Sequence, residues 1–151
     1  MDIFEILKKD HRTVLDLLDK LESTSDRAGK TRQKQLELLK QELLPHMFAE
    51  ENYFYQYLLD RTSDKEEREK ILEGFEEHRA ARSVLADVES VSFTDERWQP
   101  DIKVLKEVVK HHIDEEEREI FEIAEDIIED TNEAAQEFES MKKETKVKAK
   151  V

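Results

Sequence analysis

The chain has 151 residues, of which 42% are charged and 37% hydrophobic, and it contains 2 Gly, 2 Pro and no Cys. A length of this order suits one domain, and so few turn-forming residues argue against sandwiches, barrels and doubly wound sheets. The net charge of −14 excludes a basic surface for nucleic acid, and the absence of cysteine excludes thiolate metal sites and thiol nucleophiles.

Apolar residues recur at helical spacing along the first part of the chain and predict two long helices. The first helix begins at Asp2, which has the spacing of a capping residue relative to Glu5, and it ends near Glu22. The second helix covers about residues 28–60. Pro45 lies inside this helix and removes one backbone donor, so we expect a kink there.

Two more long helices and one short helix are predicted in the remainder of the chain. The third covers about residues 64–89, and the longest connection, residues 90–100, separates it from a fourth helix that ends near Glu129. A short helix at about 132–144 precedes a lysine-rich tail that starts near Lys142 and that we expect to be solvated. The pattern predicts an all-α fold, an antiparallel up-down-up-down four-helix bundle with a short C-terminal helix.

Four of the five histidines lie on the apolar faces of the four long helices, one on each helix. The midpoint between each successive pair falls in a predicted break, which in an antiparallel bundle places the side chains at one height. We therefore expect the imidazoles to meet in one layer. Two carboxylates follow the second and fourth of these histidines by one helical turn and face the same way. The six inward-facing residues are His11, His46, Glu50, His78, His112 and Glu116.

The same residues describe an internal repeat. His78 follows His11 by 67 positions and His112 follows His46 by 66, so each half supplies one histidine and then a His-x-x-x-Glu pair. Two buried carboxylates in one layer are costly without a cation, which favours a metal site over four ordinary core histidines. Imidazole and carboxylate without thiolate suit iron, manganese or zinc, and open positions suit non-haem iron. Two iron ions that share both glutamates would each keep one position for an oxo or hydroxo bridge and one open position.

With this motif the sequence resembles the hemerythrin-like family, the hemerythrin HHE cation-binding domain. The resemblance spans about residues 2–130. It implies a four-helix bundle around a carboxylate-bridged di-iron centre, and members of the family bind dioxygen or act on or sense nitric oxide, peroxide or iron. By position, the resemblance implies that the same six residues are the iron ligands.

Two departures from the dioxygen-carrying hemerythrins follow from the sequence. Those proteins have a second histidine four residues after the one on the third helix, where this chain has Arg82. They also have an aspartate five residues after the histidine of the fourth helix, where this chain has Glu117. Ferritin-like di-iron proteins use Glu-x-x-His, a pattern that is absent here.

Three functions are open at this point. The leading hypothesis is a di-iron protein that binds or senses dioxygen, nitric oxide or peroxide. A peroxidase or nitric-oxide-processing enzyme would use the open position as a Lewis acid and redox centre. A third possibility is a helical bundle in which the metal is structural or absent. We further expect a single domain over residues 1–151 and a soluble, cytoplasmic protein that binds neither membranes nor nucleic acid.

Several neighbours of the six residues have weaker assignments. His111 lies on a polar face and is expected to be solvated. Tyr53 would line the open position or pack in the core, and Glu119 would contribute a carboxylate or reach solvent. Glu51 and Glu117 follow the two inward-facing glutamates and are expected to accept hydrogen bonds from the outer N–H groups of the histidines.

Overall fold

Every element in the described part of the chain is a helix. The computed structural model describes the backbone of residues 1–150 and the side chains of residues 1–146. Two of the four bundle helices are each interrupted by one turn of π-helix, and a further helix follows the bundle. The elements are α1 (Ile3–Glu22), α2 (Gly29–Ala49), π1 (Glu50–Phe54), α3 (Tyr55–Leu59), α4 (Lys65–Ser90), α5 (Trp98–Glu115), π2 (Glu116–Ile120), α6 (Phe121–Ile127) and α7 (Thr131–Lys150).

The helices pack as the predicted four-helix bundle. Helix α1 packs against α2 and α5, α4 packs against α5 and α3, and the long helix α7 lies across α1 and α2. The buried apolar side chains form two clusters, one on each side of the histidine layer. The all-α bundle is therefore confirmed, and its core is divided by a polar layer. No helix in the described range is long and apolar enough to cross a membrane.

Several helix ends differ from the predicted ones for local reasons. Asp2 caps α1 as predicted, with its carboxylate accepting from the Glu5 backbone N–H at 2.9 Å. Helix α5 begins at Trp98 rather than after Pro100, because a proline in the first helical turn removes an N–H that has no partner there. Pro45 lies inside α2, and the kink stays a prediction.

The C-terminal helix is longer than predicted and takes in the lysine-rich segment. Helix α7 has 20 residues and continues to Lys150. The expected solvated tail is wrong at its first lysine, because Lys142 is only 7% exposed. Its ammonium group contacts the buried carboxylate of Asp10, which supplies the opposite charge that burial of a lysine requires. The tail beyond residue 146 lies outside the described side chains.

The two π-turns repeat the internal duplication. Each begins at one of the inward-facing glutamates, Glu50 or Glu116. The backbone N–H of Tyr55 donates to the Glu50 carbonyl, and that of Phe121 donates to the Glu116 carbonyl. This i to i+5 bonding adds one residue to the turn, so each glutamate and the residue five positions later point to the same side.

Candidate metal centre

Four buried histidines form one layer in the middle of the bundle. His11 from α1 and His46 from α2 have ring centroids 5.0 Å apart, and His78 from α4 and His112 from α5 have centroids 4.5 Å apart. None of the four is more than 7% exposed. Their positions along four different helices therefore meet at one height, as the spacing along the chain predicts.

Glu50 and Glu116 lie between the two histidine pairs and are fully buried. The Glu50 Oε1 atom is 3.2 Å from His46 Nε2 and 3.0 Å from His78 Nε2. The Glu116 Oε1 atom is 3.2 Å from His11 Nε2, and its Oε2 atom is 3.2 Å from His112 Nε2. Each carboxylate thus faces one histidine of either pair.

These contacts define two overlapping sets of four metal-ligating atoms. Within each set the ligand atoms all lie within 4.8 Å of one another. Both sets include the two glutamates and differ only in the pair of histidines. We call them the first position (His11, His46, Glu50, Glu116) and the second position (Glu50, His78, His112, Glu116).

The hydrogen bonding of the layer fits a cation. Among the described residues, no hydrogen-bond partner reaches the Nε2 atoms of His11 and His46, either carboxylate oxygen of Glu50, or Oε1 of Glu116. A buried polar group without a partner costs about 1–3 kcal/mol, and more when it is charged. Three of these five atoms belong to the two glutamates that both positions share, and two belong to the histidines of the first position, so metal ions in the layer would engage them. A donor set of imidazole and carboxylate suits iron, manganese or zinc.

Two of the outward-facing ring nitrogens are held by the predicted carboxylates. The Nδ1 atom of His11 is 2.6 Å from Glu117 Oε2, and the Nδ1 atom of His78 is 3.1 Å from Glu51 Oε2. A carboxylate that accepts from Nδ1–H leaves Nε2 as the metal-binding atom and fixes the ring orientation. The expectation for Glu51 and Glu117 is confirmed.

The other two outward-facing nitrogens use carboxylates that the sequence did not identify. The Nδ1 atom of His46 is 2.8 Å from Asp10 Oδ2, and that of His112 is 2.8 Å from Glu77 Oε1. Each carboxylate immediately precedes a histidine of its own helix but reaches across to the neighbouring helix. The signal was present as the echo between Asp10-His11-Arg12 and Glu77-His78-Arg79, in which the acidic residue repeats with the histidine.

Tyr55 is the one tyrosine that reaches the layer. Its hydroxyl group donates to Glu116 Oε2 and lies 3.2 Å from His112 Nε2 and 3.5 Å from His78 Nε2. Burial, and then the charges of Glu116 and the neighbouring Glu50, raise the pKa of Tyr55 well above its usual value. The phenol therefore stays protonated in the metal-free protein and donates at the second position.

The π-turn explains why Tyr53, the sequence candidate, does not reach the centre. Tyr53 is partly buried with its ring centroid 5.9 Å from that of Tyr57, and burial is the main cause that raises its pKa to about 12. A straight α-helix would have brought Tyr53 to the face of His46, but the extra residue of π1 brings Tyr55 there instead. The assignment of Tyr53 to the open position is wrong, and its alternative of packing holds.

Gly74 offers a sequence signal for Tyr55. It is a helix-interior glycine in α4, a position that costs about 1 kcal/mol relative to alanine. A Cβ atom at Gly74 would lie 3.1 Å from the Tyr55 ring and 3.2 Å from its hydroxyl oxygen. The glycine thus makes room for the aromatic ring beside the second position.

The remaining candidates lie at the surface. The side chain of Glu119 is 32% exposed and 3.8 Å from Lys70 Nζ, so it reaches solvent rather than the metal layer. The side chain of His111 is 66% exposed, as predicted, and its Nε2 atom is 3.5 Å from Glu77 and 3.3 Å from Glu115. The side chain of His111 is therefore accessible to solvent, unlike the four histidines of the buried layer.

Opposite charges offset the cost of burial within the layer. Burial is the largest single cause and disfavours the protonated form of His11 and His112, but Glu116, Glu50 and an outer carboxylate together outweigh it, so the pKa of both lies well above the usual range. Burial disfavours ionised Glu50, but the charge of His46 and the hydrogen bonds of Glu50 within the layer together outweigh it and lower the pKa of Glu50 well below its usual value. In the metal-free protein the carboxylates therefore hold protons on the imidazoles, and a metal ion must displace those protons.

A small cavity adjoins the layer on the side of the cluster that contains Leu43 and Met47. Its volume is about 20 Å³, enough for one water-sized molecule. Its remaining apolar wall is formed by Val14, Ala81, Val109 and Ile113. Its polar wall includes the histidines of the layer and Glu50, so one water-sized ligand beside them is what this space admits without movement of the walls.

The bundle and its layer of histidines and glutamates define a class of helical metal-binding domains. The sequence matches the family model of the hemerythrin HHE cation-binding domain over residues 2–124, and the chain belongs to that family. Its fold is similar to the crystal structure of a hemerythrin HHE cation-binding domain-containing protein from Mycobacterium kansasii. That similarity has a TM-score of 0.84 at 19% identity, over 99% of this chain and 90% of the other. A search of the curated proteins finds no match.

Proposed function

We propose that the protein binds two non-haem iron ions and uses them to bind or sense a small diatomic or reducible ligand, namely dioxygen, nitric oxide or peroxide. The observation that carries this proposal is the pair of four-atom ligand sets that share Glu50 and Glu116. Six ligands divided in this way give each ion two imidazoles and two bridging carboxylates. A six-coordinate ion would then have two further positions for a bridge and a ligand.

Iron would supply redox chemistry and Lewis acidity, and the protein's own residues would control what reaches it. The four outer carboxylates hold each imidazole with Nε2 directed inward. The apolar cavity of about 20 Å³ restricts the ligand to a few atoms. Tyr55 holds a proton within hydrogen-bond distance of Glu116 at the second position.

The residue that replaces the missing histidine argues against reversible dioxygen carriage. Arg82 does not face the layer, because its guanidinium group binds Glu51, the carboxylate that holds His78. The second position therefore has a tyrosine hydroxyl near it instead of a third imidazole. This arrangement supports ligand processing or sensing rather than storage.

An enzyme is the second candidate, and Tyr55 is the observation that favours it. A buried phenol next to an iron ligand could deliver a proton to bound peroxide or nitric oxide, as general acids do. Turnover with peroxide and with nitric oxide should then exceed that of an equal concentration of free iron. Rates equal to free iron would reject the enzyme and leave the binding protein.

The expectations of a single domain over residues 1–151, a cytoplasmic location and action without nucleic acid or membrane partners remain part of this proposal. They rest on the composition and the charge of −14.

Iron loading tests the proposed function. Metal-free protein given ferrous iron without oxygen and then oxidised should hold two irons per chain. The two ferric spins should couple through an oxygen bridge and give little or no electron paramagnetic resonance signal. One iron per chain with a strong high-spin ferric signal would reject the dinuclear centre. Binding of zinc in preference to iron, with no redox response, would mean a structural metal.

A further inference from the structure

Helix α7 contributes a buried charge to the surroundings of the first position. The Nζ atom of Lys142 is 3.0 Å from Asp10 Oδ1 and 2.7 Å from Asp10 Oδ2. The same Asp10 Oδ2 atom lies 2.8 Å from His46 Nδ1. Ammonium, carboxylate and imidazole thus form a continuous chain that ends at a ligand atom of the first position. Helix α7 begins at Thr131, after the residues that the family model matches.

Three features show that this chain of contacts is a built part of the fold. The side chain of Lys142 is 8% exposed and that of Asp10 is 12% exposed, so water does not screen the pair as it screens a surface ion pair. The ring of Phe138, one turn earlier in α7, packs edge-on against His46 with centroids 5.6 Å apart. The Lys142 ammonium also lies 5.8 Å from the Phe138 ring centroid.

Among the side chains that the structure describes, no buried cation contacts the other three outer carboxylates. Glu51 binds Arg82, whose side chain is 40% exposed, and the Glu117 side chain is itself 32% exposed. Glu77 lies 3.5 Å from the exposed His111. The buried cation is therefore specific to the carboxylate that holds His46.

We propose that Lys142 is a positioning residue that tunes the first metal position through Asp10 and His46. A carboxylate on Nδ1–H increases the electron density that the imidazole donates to a metal, and a cation on that carboxylate reduces this effect. Lys142 also keeps Asp10 in one place, because both carboxylate oxygens are engaged. The effect of Lys142 on a metal ion rests on the proposed function, whereas its effect on Asp10 and His46 does not.

Each position has two histidines and the same two glutamates, so these ligands alone predict two equal positions. Lys142 makes the surroundings of the first position different from those of the second. With Lys142 present, both oxygens of Asp10 are engaged, so His46 keeps its carboxylate partner at Nδ1 and its Nε2 atom stays directed at the first position. Without Lys142, the buried Asp10 carboxylate loses two hydrogen bonds and is free to turn away from His46.

Lys142→Met tests this proposal, with Lys143→Met as the matched control, because Lys143 is exposed on the same helix. In the metal-free protein, nuclear magnetic resonance should show a shifted or broadened His46 Nδ1–H proton in the first variant, while His112 is unchanged. In the iron-loaded protein, Lys142→Met should lose one iron to a chelator about tenfold faster than the control, since outer partners of ligand histidines affect affinity by about 10–100-fold.

A double variant shows whether the effect passes through Asp10. In an Asp10→Asn background, the charge that links Lys142 to His46 is gone. Adding Lys142→Met should then leave the His46 Nδ1–H resonance in place and change the iron-release rate by less than twofold. An unchanged His46 proton in Lys142→Met would overturn the proposal, whether or not the protein binds iron. Failure of the unaltered protein to bind iron, with the His46 proton still shifted in the variant, would reject the proposed function alone.

Discussion

The two metal positions share Glu50 and Glu116 but differ in what surrounds them. At the first position, both histidine Nε2 atoms have no hydrogen-bond partner among the described residues, and the aromatic residue that follows the π-turn is Phe121. At the second position, the matching residue is Tyr55, whose hydroxyl group contacts Glu116 and both histidines. The duplicated hairpin therefore gives both positions the same types of ligand. Differences between the repeats outside the ligands, such as Tyr55 in place of a phenylalanine, make the two positions unequal.

This difference predicts an order of metal binding. An ion entering the first position meets orphaned atoms, whereas an ion entering the second position must realign a hydroxyl group that already bonds to its ligands. We expect the first position to bind the first equivalent of metal.

The largest effect should follow from removing a shared carboxylate. Glu50→Gln keeps the shape of the side chain but takes a negative ligand from both positions, so bound metal should fall below one ion per chain by emission spectrometry. The metal-free variant should be less stable than the unaltered protein, because the buried imidazoles lose one of their two central carboxylates, so its helical content should be checked before the metal is measured. Glu119→Gln at the surface is the control and should keep two ions. Two ions in Glu50→Gln would show that this glutamate is not a ligand.

Removing one histidine should affect one position. His46→Ala and His112→Ala should each lose most of the metal and retain at most one ion per chain. The ion that remains in His112→Ala should be the more tightly held, because it occupies the first position. His111→Ala is the control and should keep both ions. Full metal content in His112→Ala would show that His112 is not a ligand and would assign that role to His111.

Tyr55 offers a test of the asymmetry with a matched control in Tyr53. Tyr55→Phe should keep both ions but change the spectrum and the nitric oxide reaction of the iron-loaded protein, because Glu116 loses its donor. The metal-free variant should be less stable by about 1–3 kcal/mol, the cost of an unpartnered buried acceptor. Tyr53→Phe should change neither property. Equal effects from both variants would contradict the placement of Tyr55 at the second position.

The smallest effect should appear in the pH dependence of the metal-free protein. The raised pKa of His11 and His112 contributes stability below their unfolded pKa of about 6.5, and this stability is lost as pH rises through the folded values. The lowered pKa of Glu50 contributes stability above about pH 4.3, which is lost as pH falls. The melting temperature should therefore decline on the alkaline side, and metal affinity should rise there as protons leave the imidazoles.

The metal-loaded protein is the control for this pH profile. Its imidazoles have no protons to lose at Nε2, so its melting temperature should be higher at neutral pH and flatter toward alkaline pH. A metal-free protein as stable as the loaded one at neutral pH would contradict the burial of both carboxylates in one layer.

The sequence predicted the bundle and the layer of six inward-facing residues. Apolar spacing determines the side of the helix on which a residue lies, and helix length determines its height along the bundle. The sequence could not predict the effect of the π-turns, since a one-residue insertion leaves no mark in the hydrophobic pattern yet moves Tyr55 to the face expected for Tyr53. The partners of His46 and His112 were also missed, because Asp10 and Glu77 reach across helices.

The contact of Lys142 with Asp10, at the C-terminal end of the chain, could not be predicted from the sequence either. A lysine within a run of lysines predicts a solvated segment, and only the packing of α7 on α1 brings its ammonium group to the buried Asp10. Long-range ion pairs of this kind depend on helix placement, which periodicity does not determine.

The most direct test of the dinuclear centre is the anomalous X-ray scattering of crystals of the iron-loaded protein. We expect two iron peaks, one between His11 and His46 and one between His78 and His112, with Glu50 and Glu116 contacting both. Partial loading should fill the first of these peaks before the second. A single peak in the layer, or iron bound outside it, would contradict the account.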